Sequence, residues 1–311
     1  MKPTLYIGDK LFSYGFPNHP LTPKRYEVFL DLFEASGLRN EVDIIRVEEP
    51  VGEDILTLFH TREYVARVRE LSERGYGYID YGDTPAYKGI YEVAAVGVRA
   101  TVEAFTKSFI EKTISVNFAG GWHHAYRDRG GGFCVFNDIA IGIEYIRRFR
   151  RDIKIFYLDI DAHHGDGIYY SYEDDPYIYI FDIHEDGRFL YPGTGFEYEV
   201  GRGEARGTKI NLPLMPGSGD RDLTNAIEEA IRFMDSCKPS LVVIQGGLDG
   251  LAGDPLTHLS YTVDGYLDAV DRFIRSTYDR GIGIVFLGGG GYQPRVVAET
   301  WIELLKLLIN I

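Results

Sequence analysis

The chain has 311 residues, of which 45% are hydrophobic, so it can bury a large core. Its formal net charge of -14 argues against direct nucleic-acid binding, because phosphate recognition depends on Lys and Arg, and it suits a cationic substrate or partner. Two cysteines cannot form a disulfide framework, and no apolar run approaches the roughly 20 residues that span a bilayer, so we expect a cytoplasmic protein that does not enter the membrane.

Along the chain, short β-branched or aromatic runs alternate with longer stretches of helical character. The predicted strands are residues 43–47, 113–118, 154–158, 177–181, 241–244 and 283–287. The predicted helices are residues 24–35, 89–107, 137–148, 223–237, 263–278 and 294–308. This alternation predicts a mostly parallel central sheet with helices on both faces. Nothing divides the sequence, so we predict an α/β protein with a single domain over residues 1–311.

Polar segments begin where five of the predicted strands stop. They are residues 120–124, 159–166, 182–184, 246–254 and 288–292, and three of them hold five of the eight histidines. In open parallel α/β sheets, ligands bind beyond the carboxyl ends of the strands, so these segments should converge on one crevice. Imidazole and carboxylate groups supply both the ligands and the proton-transfer groups of a metal-dependent hydrolytic site.

Residues 159–166 carry the strongest metal-binding signal. Residues two apart in an extended segment share a face, so Asp161 and His163 can bind one cation, although polar residues can also simply cap a strand end. A catalytic zinc site usually takes three protein ligands and a water, and Asp249 at another predicted strand end is available as the third. Asp254 competes with it, but its place beside a proline is more typical of a turn.

Six motifs in this chain occur together in a familiar order and spacing. They are Gly121-Trp122-His123-His124, Gly132-Phe133-Cys134-Val135-Phe136-Asn137-Asp138, residues 159–167, Tyr191-Pro192-Gly193-Thr194-Gly195, Gly253-Asp254-Pro255 and Leu287-Gly288-Gly289-Gly290-Gly291-Tyr292. They resemble the zinc-dependent histone deacetylase superfamily, in particular its acetoin-utilisation deacetylase-like branch. The resemblance implies an arginase/deacetylase-like fold and hydrolysis of an acetyl amide by metal-activated water, which releases acetate and a free amine.

The resemblance also implies two cation sites. The catalytic metal, Zn²⁺ with Fe²⁺ or Co²⁺ as alternatives, is held by Asp161, His163 and Asp249. A structural monovalent cation, usually K⁺, is held near Asp159, Asp161, His163, Asp182 and Ile183. A set of two carboxylates and one imidazole lacks the selectivity of thiolates, so the sequence leaves the metal open.

Two His–Asp pairs are implied by the same resemblance. His123 pairs with Asp159 and His124 with Asp166, and each carboxylate orients a ring and stabilises its protonated form. His124 is the main acid and base, while His123 has an electrostatic role. This assignment suits amide hydrolysis, which needs a base for the water and an acid for the departing amine.

Tyr292 follows four glycines, which allow a tight backbone that aims the phenol at the metal, where its hydroxyl can donate to the tetrahedral oxyanion. A glycine-rich run can instead cradle phosphate, but this one lacks the Gly-Lys-Ser/Thr sequence. Together with Tyr292, the residues assigned to catalysis are His123, His124, Asp159 and Asp166.

Substrate-binding residues are implied further from the metal. Phe133 and Tyr191 match an aromatic pair that walls an acyl-lysine tunnel, with ordinary core aromatics as the alternative. Asp83 matches a rim aspartate that accepts peptide N–H bonds, but it can also form a turn. Arg25 matches an arginine of an inner acetate channel, but it can equally be a surface helix residue. The position after Gly-Asp-Pro is Leu256, whereas some polyamine-selective relatives have a glutamate there.

The favoured substrate is therefore an N-acetyl-lysine-type amide, either an acetylated lysine-containing protein or a small cationic acetyl-amine. Acetylpolyamine hydrolysis is the alternative within the enzyme class, and a non-catalytic acyl-lysine-binding module is the alternative outside it. The sequence does not predict an oligomeric state. Four histidines receive no catalytic role, namely His19, His60, His164 and His258, and His184 is expected only to pack beside the monovalent cation.

Overall fold

The computed structural model describes residues 2–311, which form one domain around a single sheet. The eight strands are β1 (Thr4–Ile7), β2 (Asp43–Arg46), β3 (Ile114–Asn117), β4 (Ile155–Asp159), β5 (Ile178–Glu185), β6 (Lys209–Leu214), β7 (Leu241–Gln245) and β8 (Gly283–Leu287). Every pairing is parallel, in the order β2-β1-β3-β8-β7-β4-β5-β6. The predicted α/β class with a parallel sheet is confirmed.

The described residues contain nine α-helices, of which eight lie between β1 and β8 along the chain and the ninth follows β8. They are α1 (Lys24–Ser36), α2 (Glu53–Leu56), α3 (Arg62–Arg74), α4 (Ile90–Glu111), α5 (Asp138–Arg147), α6 (Asp166–Tyr172), α7 (Asp220–Cys237), α8 (Val263–Tyr278) and α9 (Pro294–Ile309). Every residue of β3, β4, β7 and β8 is buried, so both faces of the central sheet are covered. Over residues 2–311, no helix is both long enough and apolar enough to cross a bilayer.

The sequence prediction misses two strands and three helices. β1 is only four residues long, β6 alternates apolar and polar residues at the edge of the sheet, and α2, α3 and α6 have no predicted counterpart. The structure also corrects the end of β5, which continues to Glu185. Asp182 and His184 therefore lie within this strand rather than after it. A buried strand tolerates them because they pair with each other.

The sheet order explains how the polar segments meet. After β6 the chain returns to the centre, and β7 and β8 fill the space between β4 and β3. The strands that lead into the polar segments, or contain one, thus occupy five consecutive positions, β3-β8-β7-β4-β5. Because all strands are parallel, their carboxyl ends lie along one edge. The predicted convergence follows from this order.

Candidate active site

Three buried donor atoms converge at this edge of the sheet. Asp161 and His163 follow β4 and Asp249 follows β7, and one ligand atom from each lies within 4.8 Å of the others. His163 Nδ1 is 3.0 Å from Asp161 Oδ1 and 3.0 Å from Asp249 Oδ2. Asp254, the competing ligand, lies outside this group. The structure therefore brings together the three residues expected to hold the metal.

Protein donors hold the outer oxygen of each carboxylate. Asp161 Oδ2 accepts from Gln245 Nε2 at 2.7 Å and from Gly290 N at 2.8 Å. Asp249 Oδ1 accepts from Ala162 N at 2.8 Å. The other oxygen of each aspartate is thus left facing His163. Such fixed outer partners orient metal ligands in proteins.

Gln245 is absent from the sequence prediction, although a signal existed. It is one of only two glutamines in the chain, and it ends a strand that leads into the site. Glycine is needed beside it, because a Cβ at Gly247 or Gly290 would collide with the carboxylate of Asp161. The glycine-rich segments therefore allow the backbone to approach the carboxylates closely.

The electrostatics of these three groups fit a bound cation. Burial, and then the charge of Asp161, raises the pKa of Asp249 to about 7. Burial opposes protonation of His163, but its hydrogen bonds with Asp161 and Asp249 outweigh this and raise its pKa to about 10. A nearby positive charge is thus needed to stabilise the two buried carboxylates, and a proton on His163 supplies it here. A divalent ion supplies it better, since a ligating imidazole is neutral.

Two His–Asp pairs lie beside this group. His123 Nδ1 donates to Asp159 Oδ2 at 2.7 Å. His124 Nδ1 donates to Asp166 Oδ1 at 2.6 Å. The rings face each other, with their Nε2 atoms 3.1 Å apart. Burial, and then the charge of His123, lowers the pKa of His124 to about 4, so this imidazole is neutral at neutral pH and can accept a proton.

Helix α5 holds the backbone around the two histidines. Asn137 caps this helix, since its side chain accepts from Ala140 N, and its amide donates to Ala125 O at 2.8 Å. Asp138 accepts from Trp122 N at 2.8 Å. Burial raises the pKa of Asp138, although these backbone bonds oppose the shift. The Asn-Asp part of the second motif therefore holds the backbone of the histidine segment in place.

Tyr292 is half-buried next to the ligand group. Its backbone N–H donates to Asp254 Oδ2 at 2.9 Å, so Asp254 positions the tyrosine segment. Burial, followed by the charges of Asp249 and Asp161, raises the pKa of Tyr292 well above its ordinary value. The hydroxyl therefore remains protonated and can act as a donor.

Phe133 and Tyr191 lie over the site from two sides. The Phe133 ring contacts that of Tyr292 edge-on, with centroids 5.8 Å apart. The Tyr191 ring contacts that of His124 in the same way, at 5.1 Å. Tyr191 is 46% exposed, so it lies at the mouth rather than in the core. The ring of His19, a residue assigned no role from the sequence, contacts that of Phe133 edge-on, with centroids 4.4 Å apart.

A cavity of about 400 Å³ opens at this mouth and is lined by Tyr191, Asp83 and Asp166 among others. Asp83 is exposed there. Its segment is fixed by Asp80, which accepts backbone bonds from residues 82–84. Leu256 is half-buried, and its N–H donates to Asp254.

Arg25 is buried, so its reading as a surface helix residue is wrong. It is 1% exposed and donates from Nη1 to Gly289 O at 2.9 Å, just before Tyr292. Its guanidinium lies 5.4 Å from the ring centroid of Trp301 and makes no salt bridge to a carboxylate within residues 2–311. Aromatic faces and carbonyls therefore compensate this buried charge.

The predicted monovalent-cation position contains an ion pair. Asp182 accepts from Gly165 N at 2.9 Å and from His184 Nδ1 at 2.6 Å. His184 Nε2 donates to Gly195 O at 2.8 Å. Although burial opposes it, Asp182 raises the pKa of His184. His184 thus does more than pack, and the potassium site stays a prediction.

Comparisons with known proteins agree with this geometry. The model of the histone deacetylase domain matches residues 19–308. The acetoin utilization protein AcuC of Bacillus subtilis is 32% identical over 98% of this chain and 82% of its own length. Histone deacetylase RPD3 of Saccharomyces cerevisiae is 33% identical over 96% of this chain and 70% of its own. Histone deacetylase 8 of Xenopus tropicalis is 31% identical over 93% and 79%, respectively.

Proposed function

Because the chain belongs to the histone deacetylase family, we propose that it is a zinc-dependent amidohydrolase that removes acetyl groups from N-acetyl-lysine-type amides. The observation that carries this proposal is the buried Asp161–His163–Asp249 group, with ligand atoms within 4.8 Å of one another. A divalent ion held by Asp161, His163 and Asp249 would supply a Lewis acid, which can polarise a carbonyl and lower the pKa of water. Iron and cobalt remain alternatives to zinc, and a cytoplasmic location is part of the proposal.

The proton transfers fall to the histidine segment. His124 is neutral at neutral pH, so its Nε2 accepts a proton from the attacking water, while Asp166 stabilises the charge at Nδ1. The same Nε2 then returns that proton to the departing amine nitrogen. His123, whose Nε2 lies 3.1 Å away, provides the electrostatic setting for both transfers.

The other residues bind and orient the substrate. The protonated Tyr292 hydroxyl donates to the oxyanion that forms at the acetyl carbonyl, where such a donor is worth about 10²–10³ in rate. Phe133 and Tyr191 sheathe the methylene stem of the acyl-lysine and exclude water. Asp83 at the mouth accepts peptide N–H bonds. Arg25 lines the inner route by which acetate leaves.

The substrate assignment depends on charge at the mouth. Leu256 offers no carboxylate to hold the distant ammonium of an acetylpolyamine, whereas the net charge of -14 attracts basic substrates of either class. This favours acetyl-lysine over acetylpolyamines. A non-catalytic binding module fits less well, because such a module needs neither the ligand group nor the two His–Asp pairs that this chain keeps.

The test is a substrate panel with the zinc-reconstituted protein, which compares acetyl-lysine peptides, free acetyl-lysine, acetylputrescine and acetylspermidine by acetate release. His163→Ala serves as the metal-free control. We expect kcat/KM for a peptide to equal or exceed that for any acetylpolyamine. A preference for acetylpolyamines above about tenfold, or about 1.4 kcal/mol, overturns the substrate choice. Peptide binding without any acetate release instead identifies a binding module.

A further inference from the structure

We propose that Tyr126 is a positioning residue for His124 and acts on it through Asp166. The Tyr126 hydroxyl donates to Asp166 Oδ2 at 2.9 Å, while the opposite oxygen of the same carboxylate accepts from His124 Nδ1 at 2.6 Å. A carboxylate held through both oxygens cannot rotate without breaking a charged hydrogen bond. This inference rests on the proposed function only for its kinetic consequences.

No other side chain within residues 2–311 donates to Asp166 Oδ2, and the second bond to Oδ1 comes from Gly167 N at 3.0 Å. The Gly167 N–H and the His124 ring therefore both donate to Oδ1 of Asp166, whereas Tyr126 is the side chain that donates to Oδ2. Burial, and then the charge of Asp166, raises the pKa of Tyr126, so its hydroxyl stays protonated and keeps donating.

The Tyr126 ring is itself held in place. The guanidinium of Arg129 lies 3.7 Å from its centroid, and the ring of Tyr170 stacks on it with centroids 6.5 Å apart. These contacts aim the hydroxyl at Asp166 without using the hydroxyl itself. Removing the hydroxyl while keeping the ring is therefore a selective change.

Asp166 is nearly buried although it borders the cavity at the mouth. The cavity of about 400 Å³ at the mouth is lined by Tyr126 and Asp166, yet the side chain of Asp166 is only 8% exposed. The other pair is different. Asp159 is completely buried, and Tyr157 donates at 2.5 Å to the same oxygen that His123 uses. Of the two pairs, only the carboxylate of the His124 pair borders this cavity, and Tyr126 donates to its second oxygen.

The experiment compares Tyr126→Phe with Tyr170→Phe in the zinc-loaded protein. Tyr170 belongs to the same ring stack, but its hydroxyl donates to Glu199 at 2.7 Å and does not reach Asp166. We expect Tyr126→Phe to lower kcat by about tenfold with KM within about twofold, as loss of outer-sphere orientation does. Tyr170→Phe should keep kcat. Equal kcat values for Tyr126→Phe and the unaltered protein overturn the inference.

A double-mutant cycle tests whether Tyr126 acts on His124 through Asp166. In an Asp166→Asn background, Tyr126→Phe should add less than about twofold to the loss of kcat, because the two changes act on one unit. Full additivity overturns action through Asp166. Melting temperatures of all variants are recorded, and a Tyr126→Phe protein that loses stability but keeps kcat shows a structural role only.

A measurement without substrate separates this inference from the proposed function. In protein labelled with ¹⁵N-histidine, the Nδ1–H resonance of His124, assigned by its loss in His124→Ala, should shift in Tyr126→Phe and stay in place in Tyr170→Phe. An unshifted resonance in Tyr126→Phe contradicts the positioning role. A shifted resonance in a protein that hydrolyses no acetyl amide supports the positioning role and refutes the proposed function instead.

Discussion

The Nε2 atoms of His123 and His124 lie 3.1 Å apart, while their Nδ1 atoms donate to different aspartates. Two imidazoles at this distance resist simultaneous protonation because like charges repel. The charge of His123 is accordingly the second cause, after burial, that lowers the pKa of His124.

This arrangement predicts how the pH profile responds to substitution. His124 must be neutral to accept a proton, so kcat falls as the pH drops through its pKa, which the charge of His123 helps to lower. His123→Ala removes that repulsion, so the acidic limb should move to higher pH. His124→Ala should lower kcat by at least about 10² at every pH. The exposed His258→Ala is the control, and an unmoved limb in His123→Ala contradicts the coupling.

The metal assignment predicts a contrast between two aspartates on one loop. Asp249→Asn should lose most of the bound divalent ion, because Asp249 belongs to the converging ligand group. Asp254→Asn should keep the ion but lower kcat, because Asp254 accepts from Tyr292 N instead. Elemental analysis of both purified proteins measures the bound divalent ion per chain. Retention of stoichiometric metal by Asp249→Asn, with loss in Asp254→Asn, would exchange their roles.

Tyr292→Phe should separate chemistry from binding. Loss of one donor to the oxyanion lowers kcat by about 10²–10³, whereas metal content and KM change little. Tyr172→Phe is a control for the loss of a buried tyrosine hydroxyl, because the Tyr172 hydroxyl bonds to Ala140 O at 3.2 Å and Glu144 Oε1 at 3.1 Å and to no assigned catalytic residue. A Tyr292→Phe enzyme with near-normal kcat on its best substrate would refute the oxyanion role.

Arg25 should prove to be a buried support for the segment that carries Tyr292. Arg25→Met breaks its bond to Gly289 O, and hydrogen bonds to charged groups contribute about 1.5–3 kcal/mol, so the free energy of unfolding should decrease by about that amount. The exposed neighbour Lys24→Met should leave it unchanged. Urea denaturation measures both, and a stable Arg25→Met protein with normal kcat would leave Arg25 without this role.

The mouth of the site should sense pH near neutrality. Although Asp83 is exposed in part, the partial burial of its carboxyl, and then the hydrogen bond and charge of Asp80, raises its pKa to about 7. Because the ionised carboxylate is the better acceptor for peptide N–H groups, KM for peptides should rise as the pH falls through about 7. Asp83→Asn should remove this dependence, whereas Asp128→Asn, a nearby exposed control, should keep it. The same pH dependence in Asp83→Asn would contradict the assignment.

Much of the chemistry of this site can be predicted from short stretches of sequence. Asp161 and His163 are two residues apart, and His123 and His124 are adjacent, so their functional spacing is a property of short segments. The strongly apolar strands and long amphipathic helices are equally local, which is why β8 and α8 match their predicted bounds. Hydrophobic periodicity and motif spacing need no knowledge of distant contacts.

Only the tertiary structure shows which residues of distant segments are in contact at the site. The order β3-β8-β7-β4-β5 brings Asp249 to Asp161, and nothing in their separation along the chain requires this. It also places Gln245 on Asp161 and buries Arg25 against aromatic rings. Likewise, the bond from Tyr126 to Asp166 spans 40 residues. Such partners depend on side-chain packing between elements, and a single residue such as Tyr126 has no repeating sequence pattern that predicts its partner.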